Sequence, residues 1–132
     1  MVAQELVIRH PEKIRRLVLA CTSSGGAGGS SYPIHELQNL PVRERAQRQM
    51  ELADKRQDRQ WQDANQGQWE SMISDSIASL AVYSDEPGHE IGQHRQLEAR
   101  KTFDTYDRLP QLKIPVYICG GLFDDIAPPD NL

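Results

Sequence analysis

Aromatic residues are scarce in this chain, at 6% of 132 positions, and cysteine occurs only twice. No apolar run approaches the roughly 18 residues that a membrane-spanning helix needs, so no helical span is expected and a membrane partner is not favoured. Cys21 and Cys119 lie far apart in sequence and lack metal-ligand spacing, which fits two reduced core thiols better than a disulfide framework or a zinc site. A charge bias is missing too. The 15 basic and 19 acidic residues are interspersed and give a net charge of -4, so no uniform field is offered to nucleic acid or to an anionic lipid surface. The opening "MVAQELVIRH" carries an acid at Glu5 and is followed by no small-residue cleavage site, which predicts a cytoplasmic protein.

What is present suffices for one modest core, with 38% hydrophobic residues. Val2, Leu6 and either Val7 or Ile8 recur at helical spacing, and Pro11 ends that helix because proline disfavours helical backbone in the residue before it. Leu17 to Ala20 form a continuous apolar run, too short for a helix, which predicts a strand over 14 to 20 buried on both faces. "TSSGGAGGSSYP", residues 22 to 33, resembles a phosphate loop in composition only, since it lacks both GxGxxG spacing and the Lys-Ser/Thr pair of a P-loop. It reads as a flexible connection.

From residue 34 the chain becomes charged and helical. Ala46, Met50 and Ala53 share one face, with Glu44/Arg48 and Glu51/Lys55 at pairing distance on the solvent side. The strongest helix signal is "QWESMISDSIASLAVY", where Trp69, Met72, Ile73, Ile77 and Leu80 form a wide apolar stripe. A Pro-Gly turn over 84 to 92 precedes a further helix over 91 to 101, and Pro110 and Pro115 then punctuate the approach to a strand at Val116 to Cys119. The expected organisation is 1–32 and 102–132 as α/β core around a helical insertion at 33–101.

With those segments in place, "MVAQELVIRHPEKIRRLVLACTSSGG" resembles the segment after the nucleophile elbow of α/β-hydrolase-fold proteins. "DTYDRLPQLKIPVYICGGLFDDIAPP" resembles their strand and loop bearing the catalytic acid, and the nearest likeness is to the branch of 3-oxoadipate enol-lactonases and esterases. The resemblance implies a partial α/β-hydrolase fold, with few parallel strands plus a helical cap. It implies cleavage of a small-molecule carboxylic ester or lactone by a Ser-His-Asp mechanism, with no cofactor and no metal. Gly121, Asp124, Ile126 and Pro128 match the family spacing, so Asp124 is the acid carried over. Trp69, Met72, Ile73 and Ile77 become candidates for the substrate pocket under the cap.

The family's elbow serine would stand just before Met1 and its histidine some tens of residues beyond Asp124. The chain is therefore expected to be an internal fragment, inactive by itself. His10, His35, His89 and His94 have no elbow nucleophile beside them, and Ser23 and Ser24 read as loop residues. A simpler role for Asp124 is to cap a helix starting near "PPDNL". A different class of function is a non-catalytic helical module that binds a partner or an apolar ligand through the Trp69 to Leu80 stripe. The two strands are expected to be parallel neighbours with Cys21 and Cys119 at the same end. An apolar strand deprived of a neighbour predicts a homo-oligomer through its exposed edge, or by swapping of the cap.

Overall fold

The computed structural model describes residues 1–82 and 84–132; Tyr83, the last residue of the long apolar-striped stretch, lies outside the described residues. The backbone forms two compact units, Met1–Tyr32 with Ala99–Leu132, and Pro33–Glu98. No helix among the described residues is long and apolar enough to cross a membrane.

The first unit is mixed helix and sheet. Its first element is α1 (Val2–Arg9), which ends where His10, at φ -138° and ψ 56°, leaves helical backbone ahead of Pro11. The buried stripe differs from the expected one: Val7 is fully buried and Gln4 is 1% exposed, whereas Val2 and Leu6 are exposed. Helical spacing alone allows either face to turn inward, and Gln4 does so because its amide finds hydrogen-bond partners there.

Strand β1 (Leu17–Ala20) pairs in parallel with β2 (Val116–Cys119), with Leu17 opposite Val116 and Ala20 opposite Cys119. The parallel pairing agrees with the sequence reading. The strand is shorter than 14 to 20, and the expectation of burial on both faces fails. Leu17 and Leu19 are buried against Val7 of α1, with Ile8, Ile14, Leu112 and Ile114 around them, but Val18 is 64% exposed. A continuous apolar run suits a strand with layers on both sides. In this unit α1 packs on one face, and Val18 and Tyr117 stand on the other.

The Gly/Ser loop after β1 is pinned, not a loose tether. Gly25 takes φ +76° and pairs in a bridge with Asp104, and a Cβ there would overlap the Phe103 carbonyl, so only glycine fits. Gly25 N–H also donates to the Gly29 carbonyl at 3.0 Å, closing the loop on itself.

The second unit is helical: α2 (Val42–Ala53), α3 (Arg59–Ala64), α4 (Gln66–Ala81) and the greater part of α5 (His89–Lys101). Asp58 caps α3 by accepting the Trp61 N–H at 2.9 Å. Its core is Ala46, Trp69 and Ile73, with Met50, Trp61 and Ile77 packed around them. Trp61 meets Trp69 edge to face, with ring centroids 6.3 Å apart. Of the expected α2 face, Ala46 and Met50 turn inward but Ala53 is exposed and Leu52 takes the buried position. Arg43 binds both oxygens of Glu70 at 2.7 and 2.6 Å, tying α2 to α4 across their rims.

Candidate functional site

The acid loop begins where β2 ends. After Cys119 the pair Gly120-Gly121 lets the chain turn, and the Asp124 N–H donates to the Gly121 carbonyl at 3.2 Å. The half-buried Asp124 side chain then bends back on its own backbone. Its Oδ1 accepts the N–H of Ile126 at 2.8 Å and that of Ala127 at 2.9 Å. Two donors on one oxygen fix the carboxylate's rotamer and leave Oδ2, with its lone pairs, for a further donor.

The expectation that Asp124 caps the terminal helix is corrected by this geometry. The terminal turn is a 3-10 helix at Pro129–Asn131 whose cap position is Pro128. Asp124 instead closes a turn over 124 to 127, the local bonding to which short acidic side chains are suited.

That turn is held on both sides. Ala127 is 2% exposed, and the Ile126 carbonyl accepts the Tyr32 N–H at 2.8 Å. The Tyr32 carbonyl accepts from Arg100 Nη2 at 3.1 Å, so the acid loop is joined to the point where the chain leaves the first unit. Asn131 adds a third tie, its Nδ2 donating to the Ser30 carbonyl at 3.0 Å.

The remaining candidates lie elsewhere. Trp69 and Ile73 are 5% and 0% exposed, their surface spent in the helical core, while Ile77 packs beside them and Met72 is half-buried. A partner could not reach Trp69 or Ile73 without opening that core. Leu80 is at the margin, 36% exposed. The Ser23 hydroxyl is buried against Ser31 Oγ at 3.3 Å, and Ser24 Oγ donates to the Gly25 carbonyl, so both serve the loop. His10 faces Glu12 at 3.8 Å, and His35, His89 and His94 belong to the helical unit.

Cys21 departs from the core-thiol expectation. It is exposed, with a left-handed φ of 49°, and Cys119 is half-buried; both are free. Their positions at one end of the sheet agree with the sequence, since the Cys21 N–H donates to the Cys119 carbonyl at 2.9 Å. A run of apolar neighbours concealed the exposure, because the strand stops at Ala20 and the chain turns away.

Thr105 and Arg108, which support this region, carry no sequence signal of their own. Thr105 is 1% exposed; its Oγ1 lies 3.2 Å from Gln4 Oε1 and 3.0 Å from the Ser24 carbonyl, while its N–H donates to that same carbonyl at 2.8 Å. Arg108 bridges Glu5 and the Asp104 carbonyl. Arg108, and after it Arg9, hold the Glu5 carboxyl well below the usual carboxylate range, at about 2.

A concavity of about 630 Å³ lies on the Leu19 side of the sheet, floored by Leu112, Val116, Ile118 and Leu132 with Gln4 at its edge. Asp124 does not line it. Its floor is the part of β2 that α1 leaves uncovered, and Thr22, Ser24, Tyr106, Asp130 and Asn131 complete its lining. Comparison with protein-family models and with curated proteins finds no match for the chain.

Proposed function

We propose that this chain supplies the acid loop of an α/β-hydrolase that cleaves a carboxylic ester or lactone, with Asp124 as the orienting acid and the helical unit as the cap insertion. The observation that carries the reading is the state of Asp124. It follows the carboxyl end of a parallel strand, where α/β sheets place their chemistry, and its carboxylate is locked through one oxygen with the other available.

In such a mechanism a serine hydroxyl attacks the substrate carbonyl while a histidine takes its proton. The proton passes to the leaving alkoxide, and water then hydrolyses the acyl-enzyme by the same base. The acid holds the imidazole in the productive tautomer, which demands a carboxylate with a fixed direction. Asp124 answers that demand. In this reading the serine and histidine come from outside these 132 residues, so the chain alone hydrolyses no ester, since triad members act as a unit.

The test is the genomic frame upstream of Met1, read for G-x-S-x-G-G and expressed as the longer protein. We expect turnover of a simple aryl ester, reduced about 10⁴-fold in kcat by Asp124→Asn. A frame without that motif, or a longer protein indifferent to Asp124→Asn, overturns the proposal.

A further inference from the structure

We propose that Cys21 and Cys119 are a modification site: a pair of thiols that a small disulfide oxidant of the glutathione class converts into an intramolecular crosslink between the residue that follows β1 and the last residue of β2. The inference does not depend on the hydrolase reading.

Three observations carry it. First, the two residues are joined in the backbone, with Cys21 N–H donating to the Cys119 carbonyl at 2.9 Å. Neighbouring strands at their usual spacing, offset by one residue, then place the two Cα atoms roughly 6 Å apart, inside the range a disulfide spans.

Second, the side chains are brought to one face. In a continued strand Cys21 would point with Leu19, opposite to Cys119, and no bridge could form. Cys21 instead has φ 49°. Relative to extended backbone this swings its Cβ about the N–Cα bond by roughly 170°, to the face shared by Ala20 and Cys119. A non-glycine residue in the left-handed region is uncommon, and here the unusual angle turns both Cβ atoms to one face.

Third, the face is open. Cys21 is exposed, Cys119 is half-buried, and Val18 and Tyr117 on the same face are 64% and 65% exposed, so an oxidant reaches Cys21 first.

The chemistry balances as thiol–disulfide exchange. The Cys21 thiol loses its proton and its sulfur attacks the oxidant, forming a mixed disulfide and releasing one thiolate. The Cys119 thiolate attacks the Cys21 sulfur, forming the intramolecular bond and releasing the second. Two protein thiols are oxidised, one small disulfide is reduced, and the two protons end on the two released thiols.

The experiment incubates the native chain with oxidised and reduced glutathione at graded ratios. Free thiols should fall from two to zero, the intact mass should drop by two hydrogens, and a non-reducing peptide map should join the Cys21 and Cys119 peptides. Cys21→Ser and Cys119→Ser should each stop at a glutathione adduct. Wild-type protein in concentrated urea should give at least about tenfold less crosslink at the same ratio, because the open chain must first close a long loop. Native protein that stops at glutathione adducts, crosslinks only between chains, or crosslinks equally well in urea overturns the proposal.

Discussion

Gln4 and Thr105 show how single polar side chains hold the α/β unit together. Each is 1% exposed, and together they connect α1, the loop after β1 and the segment entering β2. Thr105→Val keeps the shape and removes the hydroxyl, leaving the buried Gln4 oxygen without its donor. It should cost about 1–3 kcal/mol in urea unfolding. Gln4→Ala should fall in the same range, and the double variant should cost less than the sum, since the two share one contact. Glu5 adds a pH dependence. Its folded carboxyl sits at about 2 against an ordinary value of 4.5, so its contribution is fully present above pH 4.5 and is lost as pH falls toward 2. Glu5→Gln should flatten the acid limb of the stability profile over that window, seen by denaturant melts at pH 5, 4 and 3 (about one unit apart). None of this was legible in advance: a Gln on an amphipathic helix reads as its solvent face, and Val2 competes as the apolar alternative. Tertiary hydrogen bonding decided which side turned inward.

At the scale of elements, periodicity served best where the apolar stripe was broad. The α4 stripe around Trp69 and Ile73 was readable because spacing of three and four residues leaves one arrangement for a wide apolar face. Its purpose was less readable, since the same stripe serves a core or a ligand. Packing against Ala46 and Trp61 resolves that for Trp69 and Ile73. Ile73→Ala should therefore cost about 2–5 kcal/mol in the unfolding of the helical unit, followed by tryptophan fluorescence. Leu80→Ala, at a position 36% exposed, should cost less than half as much. If both cost the same, α4 buries a different face from the one described. The short strands were found by their apolar runs and proline punctuation, but their burial was not, because one or two covering layers leave the same four-residue run. The Asp124 turn was legible as an acid after a Gly pair, whereas its bonds to Ile126 and Ala127 were not, since helix capping and turn closure draw on the same residue type.

For the whole molecule the sheet is the surface that governs assembly. In the β1–β2 ladder the N–H groups of Leu17 and Cys21 point to β2, bonding the Pro115 and Cys119 carbonyls. Alternation along a strand then turns those of Val18 and Ala20 to the free edge of β1. That edge lies beside an open face with Val18 and Tyr117 largely exposed, a combination that favours pairing with another chain. We expect concentration-dependent self-association in sedimentation velocity, with β1 edges of two copies meeting. Ala20→Pro removes an outward N–H without touching a β1–β2 hydrogen bond, so it should shift the distribution to monomer while keeping the far-ultraviolet circular dichroism. Val18→Lys places a charge on the open face and separates the two routes: if it abolishes assembly and Ala20→Pro does not, the copies meet through the face and not the edge. A wild-type chain that stays monomeric up to high concentration would mean that neither surface drives association, and that the short length of β1 is protection enough.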